Sequence, residues 1–212
     1  PTNTALPTSE PRYQRRLDLL GRLESDYAAS GGKHEVSEHQ KLYQKASRMI
    51  LSPQMKAFDL DHEPDSVKQA YGDGQFGLSC LLARRLVETG TPCVEIVLNG
   101  WDTHFDNFAR VKELSTQVDQ PFAALIEDLK QRGMLDTTLV AWMGEFGRTP
   151  KINPRGGRDH YPRAFNVVLA GGGIRGGQVI GKTDEAGAEV VDRPVNVNDL
   201  LQTFCKSLQI NP

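Results

Sequence analysis

The side chains with most scope for chemistry sit in two short runs, Asn99-Gly-Trp-Asp-Thr-His104 and Gly144-Glu-Phe-Gly-Arg-Thr-Pro150. In an extended segment, side chains two apart lie on one side, so Asp102 and His104 can face a common partner. Joined by Glu145 from a neighbouring strand, they offer oxygen, nitrogen and oxygen donors to one divalent ion. A third run, Arg158-Asp-His-Tyr-Pro162, adds His160 as a fourth candidate ligand. Asp159 is then either a ligand or the acceptor that fixes the tautomer of His160. A single loop His or Asp more often caps a helix or makes a hydrogen bond, and it is the convergence of three runs that favours a metal. Such a mixed donor set suits zinc, manganese or iron better than calcium, and one ion is the expectation.

Between these runs, residues 147–158 carry Arg148, Lys151, Arg155 and Arg158 among glycines. Guanidinium groups can grip two oxygens at once, so cations beside a metal suit an anionic substrate, a phosphate or sulfate ester of a small molecule or polysaccharide. Arg148 is the preferred binder because it lies nearest a strand end, and Arg158 is a second candidate. The plainer reading is a solvated basic loop. The glycine-rich residues 171–177 lack the GxxxxGK[ST] pattern and precede no visible helix, so they read as a turn, not a phosphate cradle. Trp101 and Trp142 read as packing residues.

Several elements must position these groups. Residues 93–98 and 138–143 are apolar runs of strand type, and residues 108–132 form an amphipathic helix between them, with Val111, Leu114, Val118, Phe122, Leu125 and Leu129 on one face. A strand, helix, strand unit of this kind predicts a right-handed parallel crossover whose carboxyl ends share one sheet edge, where ligands bind. Residues 165–170 predict a third strand, and residues 76–88 and 197–208 further helices, the last capped by Asn196 or Asn198. Earlier in the chain, Leu17, Leu20, Leu23 and Tyr27, then Leu42, Ala46, Met49 and Ile50, predict an antiparallel helical pair that stops at Pro53. Residues 59–65 are acidic, contain His62 and read as an exposed loop. The expectation is an α/β fold, a mostly parallel sheet flanked by helices. Residues 1–75 supply an irregular lead-in and helical segment, and residues 76–212 the metal-site region, as part of one larger domain.

Composition removes other classes. The 212 residues carry 25 Lys+Arg against 27 Asp+Glu, a formal charge of -2, so no surplus positive field is present to gather a nucleic acid. The longest apolar runs fall far short of the roughly 20 residues a membrane span needs. Cys80, Cys93 and Cys205 are odd in number and form no CxxC, which argues for core thiols and against a disulfide scaffold or a cysteine zinc site. The sequence starts at Pro1 with no charged-then-apolar leader, and reads as processed, truncated or a fragment.

Five motifs carry a resemblance: Phe76-Gly-Leu-Ser-Cys-Leu-Leu-Ala-Arg-Arg-Leu-Val87, Gly-Trp-Asp-Thr-His104, Trp-Met-Gly-Glu-Phe-Gly-Arg-Thr-Pro150, Gly-Arg-Asp-His-Tyr161 and Ala-Gly-Gly-Gly-Ile-Arg-Gly-Gly177. From about residue 12 onward the chain resembles the bacterial DUF1501 family, which itself looks like a branch of the alkaline phosphatase and sulfatase superfamily. The resemblance implies an alkaline-phosphatase-like sheet with its amino-terminal half missing, a metal centre at the strand ends and a periplasmic or exported setting. By position, Asp102 and His104 resemble the superfamily's Asp and His ligands and His160 its late His, while Phe146 stands where a ligand is usual. The strand that would bring a nucleophile has no counterpart here, so no catalytic nucleophile is assigned and the chain resembles a carboxyl-terminal part. The functional expectation is a metal-dependent hydrolase of phosphate or sulfate esters. The alternatives are a non-catalytic exported binding or structural protein that keeps the fold and, less favoured, a phosphomutase-type transferase.

Overall fold

The computed structural model describes residue 6 and residues 8–211, so most of the irregular lead-in expected over residues 1–11 lies outside the described residues. The chain forms two compact units, one ending at His62 and one beginning at Glu63.

The first unit is a helical hairpin, α1 (Glu10–Ala29) and α2 (Lys33–Ile50), followed by 3-10 turns at Pro53–Phe58 and Leu60–His62. Tyr13 near the start of α1 meets Ser47 near the end of α2 (Oη to Oγ, 3.0 Å), and Glu24 meets His39, which makes the pair antiparallel. The turn between them is tight, with the Ser30 and Gly32 amides both donating to the Tyr27 carbonyl (3.1 and 3.3 Å).

The second unit is built on three helices, α3 (Asp65–Tyr71), α4 (Gln75–Glu88) and α5 (Asn107–Gln131). Leu114, Val118, Pro121, Leu125 and Leu129 recur along one face of α5 and are buried, together with Tyr71 from α3 and Cys80 and Leu81 from α4. Arg84 is buried among them at 1% exposure. Its Nη2 donates to Glu63 (2.6 Å) and its Nη1 to Glu88 (2.7 Å), while its Nε sits 2.8 Å from Asp128 Oδ2, off the line that a hydrogen bond requires. Arg85 also contacts Glu63, Arg132 reaches Glu88 and Asp128, and the Tyr71 hydroxyl donates to Asp128 (2.9 Å). Three guanidinium groups thus face three carboxylates. This corrects the exposed-loop reading of residues 59–65 toward its end, since Glu63 is buried by Arg84 and Arg85.

Among the described residues the expected parallel sheet is absent. Strands β1 (Val140–Met143) and β4 (Val167–Ala170) pair antiparallel, as do β2 (Gly147–Arg148) with β3 (His160–Tyr161) and β5 (Lys182–Thr183) with β6 (Val190–Asp192), in three separate two-stranded ladders. Residues 93–98 alternate between half-buried and exposed with the period of a strand, yet they join no ladder among the described residues. Without that strand there is no crossover around α5, so the α/β reading with a mostly parallel sheet is overturned. An apolar run specifies burial of one face, and the partner that would complete a ladder is a separate requirement. Of the cysteines, only Cys80 is a core thiol, its pKa pushed up to about 12 by burial, while Cys93 is exposed. Trp142 is 43% exposed and packs on Phe122 (ring centroids 5.3 Å), so it is only partly the packing residue expected. The turn reading of residues 171–177 fits their backbone: Gly171, Gly172 and Gly173 all have positive φ, and a β-carbon on Gly171 would lie 2.2 Å from the Thr138 carbonyl oxygen. The chain closes with α6 (Val197–Ser207), whose capping box joins Asn196 and Asp199.

Candidate metal centre

Three chain segments are wound together beside the start of α5. The Arg158 amide donates to the Thr103 carbonyl (3.0 Å), the Asn107 amide to Gly156 (3.0 Å), and Phe105 forms an isolated antiparallel bridge with Gly156. Gly157 permits this approach, because a β-carbon there would fall 2.0 Å from the His104 carbonyl carbon and oxygen. The β2–β3 ladder then sets Arg148 directly opposite His160, and the Thr149 and Asp159 backbones continue the pairing (2.9 Å).

Locally the Asp102 segment is more tightly curled than an extended strand. The Thr103 amide donates to Trp101 and the His104 amide to Asp102, two successive turns of the γ type. The alternation nevertheless survives. Thr103 turns inward at 1% exposure and donates to Asn107 Oδ1 (2.6 Å), while Asp102 and His104 turn outward to the same place.

There the geometry closes. Asp102 Oδ1, His104 Nε2 and His160 Nε2 form a triangle with sides of 3.0, 3.0 and 3.2 Å. With metal–ligand bonds of about 2.0–2.1 Å, neighbouring ligand atoms stand about 3.3 Å apart in a tetrahedron and about 2.9 Å apart in an octahedron, so the observed sides fit one face of either. The electronic arrangement agrees. His104 Nδ1 lies 2.8 Å from Asp159 Oδ1, an acceptor, so in the neutral ring Nδ1 carries the proton and Nε2 presents a lone pair. That lone pair faces a carboxylate oxygen and a second imidazole nitrogen, a convergence that either a proton on His160 Nε2 or a metal cation would satisfy.

The surrounding groups hold this arrangement. Asp159 serves the tautomer of His104, not that of His160 as the sequence suggested. Its carboxyl is held below the usual carboxylate range by His104 and by the Asn153 amide. The Asp102 carboxyl is held down to about 2 by His160 and by Arg148, whose Nη2 lies 2.7 Å from the same Oδ1. Phe146 packs against the His160 ring, with centroids 4.4 Å apart.

Asn153 is a residue that sequence reasoning missed. Its Nδ2 donates to the His104 carbonyl (3.0 Å) and to Asp159 Oδ1 (3.1 Å), and its Oδ1 accepts from the Arg155 and Gly157 amides. The run Asn153-Pro-Arg-Gly-Gly157 carries the turn residues that could have flagged it.

Two candidates stand apart. Glu145 is exposed after β1 and contributes no ligand atom to the triangle; its expected place depended on a parallel crossover that the chain does not form. Arg158 spends its Nη1 on the Thr149 (2.6 Å) and Pro150 (2.7 Å) carbonyls, which clamps the loop instead of reaching outward.

Residues 2–212 match the family model described as "Protein of unknown function (DUF1501)", and the chain belongs to that family. No curated protein and no solved structure matches it.

Proposed function

We propose that this DUF1501 chain binds one divalent cation through Asp102, His104 and His160, and that it serves the hydrolysis of phosphate or sulfate esters. The observation that carries the reading is the triangle of one carboxylate oxygen and two imidazole nitrogens, with one lone-pair direction set by Asp159. Two nitrogens and one oxygen favour zinc, manganese or iron over calcium, and three protein ligands leave positions open for water and substrate. When bound, such an ion supplies Lewis acidity and brings water closer to hydroxide at neutral pH. In the overall reaction, water adds to phosphorus or sulfur, the bond to the alcohol oxygen breaks, and the alcohol leaves carrying one of the water's protons. The chain's own residues orient these partners. Asp159 and Asn153 fix the His104 ring, and Arg148, 24% exposed beside Asp102, offers its remaining N–H donors to the ester anion. The resemblance to alkaline phosphatases and sulfatases enters this reading as chemistry only, without the parallel sheet it implied.

Thr103 favours a second reading. As the hydroxyl residue between the two ligands of its segment, it points inward to Asn107 and supplies no nucleophile. A non-catalytic exported protein that uses the cation to bind an anionic ester would have the same features. Turnover of 4-nitrophenyl phosphate and 4-nitrophenyl sulfate, measured with zinc, manganese or iron added, separates the two. The hydrolase reading expects release of nitrophenol that chelator and His160→Ala both abolish. Bound metal with no turnover of either ester would leave the binding reading in its place.

A further inference from the structure

Asp102 Oδ1 is shared by three groups. Besides the two imidazoles, Arg148 Nη2 touches it at 2.7 Å, while Arg148 Nη1 makes only a long 3.4 Å contact with the Arg158 carbonyl. Cross-strand pairing fixes this: Arg148 and His160 are opposite one another in the β2–β3 ladder, so both side chains leave the same face and meet Asp102. In the chain alone, the guanidinium neutralises the carboxylate. A divalent ion held by the same oxygen would place two cationic centres on one atom, so close together that water between them cannot fully screen their repulsion. An oxyanion relieves that repulsion, because one of its oxygens can face the ion while others take the fork of guanidinium donors.

Resting on the cation reading above, we infer that Arg148 makes retention of the cation and of a tetrahedral oxyanion mutually dependent. The cation is held loosely while Arg148 occupies Asp102, and tightly once an oxyanion draws Arg148 toward itself. Linkage requires the reverse as well, so the cation raises the affinity for the oxyanion by the same factor. Departure of the oxyanion then loosens the cation, and each binding cycle is open to exchange of the ion.

The test is a titration of the full chain with Mn2+, reading free Mn2+ by electron paramagnetic resonance, in chloride or in sulfate at matched ionic strength. Sulfate is expected to tighten Mn2+ binding roughly 5- to 100-fold. Arg148→Ala is expected to bind Mn2+ more tightly than the native chain in chloride and to lose the response to sulfate. Arg148→Lys, which keeps the charge but not the fork, should stay weak in chloride and respond less. Equal Mn2+ affinity in chloride and sulfate for the native chain overturns the coupling and leaves the cation site standing. So does a sulfate response that survives in Arg148→Ala. Failure of Mn2+ to bind any of the three forms in either salt removes both the site and the coupling.

Discussion

The second unit contains two clusters of charge made from similar side chains and put to different ends. Around Arg84, three guanidinium groups and three carboxylates are packed among α3, α4 and α5, with Arg84 at 1% exposure and Glu63 buried beside it. The opposite charges are paired there, although Arg84 Nε meets Asp128 as an ion pair without an aligned hydrogen bond. Around Asp102, by contrast, one carboxylate oxygen and two imidazole nitrogens converge at the surface, with Arg148 on the same oxygen. The first pattern is that of a structural network. The second lies open to solvent and has the donor set on which the proposed cation site rests. Burial and pairing, more than residue type, separate the two.

The largest expected effect breaks the first cluster. Arg84→Met removes the most buried partner of Glu63 and Asp128, leaving them Arg85, Arg132 and the Tyr71 hydroxyl, and should cost about 3 kcal/mol in denaturant unfolding, because a buried carboxylate that loses a guanidinium is only partly compensated. The pH dependence sharpens the same contrast. Burial would push the Glu63 carboxyl up, but Arg84 and Arg85 hold it below its ordinary value of 4.5. A carboxylate with a lowered folded pKa contributes stability that is present above the ordinary value and lost as pH falls through the folded one. Glu63→Gln should therefore flatten the acid limb of stability against pH, measured by unfolding at a series of pH values. Native and variant chains losing stability in parallel below that range would assign the acid sensitivity elsewhere.

Effects at the second cluster should appear in binding and hardly in folding. Asp159→Asn removes the carboxylate that holds the His104 tautomer and should weaken cation affinity about 10- to 100-fold, read by competition with a chelating dye. His104→Ala and His160→Ala, at partly exposed positions, should change unfolding free energy by no more than about 0.5 kcal/mol. A loss of several kcal/mol in either would make the cluster a structural network like the first.

How far the sequence reveals this depends on the range of the interaction concerned. Helix α5 is legible to within one residue at each end, since the spacing of Leu114, Val118, Leu125 and Leu129 is a local property. Strand β1 falls inside its predicted run, but the predicted neighbour, residues 93–98, has the right alternation and no ladder, because pairing is a long-range choice that hydrophobic pattern does not encode. The same distinction governs the site. Asp102 and His104 share a side by local alternation, and His160 is visible in a third polar run, whereas placing Glu145 requires a sheet topology that the chain does not adopt. Glu63 looked solvated because its partners Arg84 and Arg85 lie some 20 residues away. Strands β2 and β3, two residues each, are too short to announce themselves, yet they set Arg148 against His160.

The most direct test is the metal content of the full chain after saturation with zinc or manganese and exhaustive dialysis, compared with that of His104→Ala. One ion per native chain and none in the variant are expected. A native chain that retains no ion, or a variant that retains as much, would mean that the triangle closes on a proton alone.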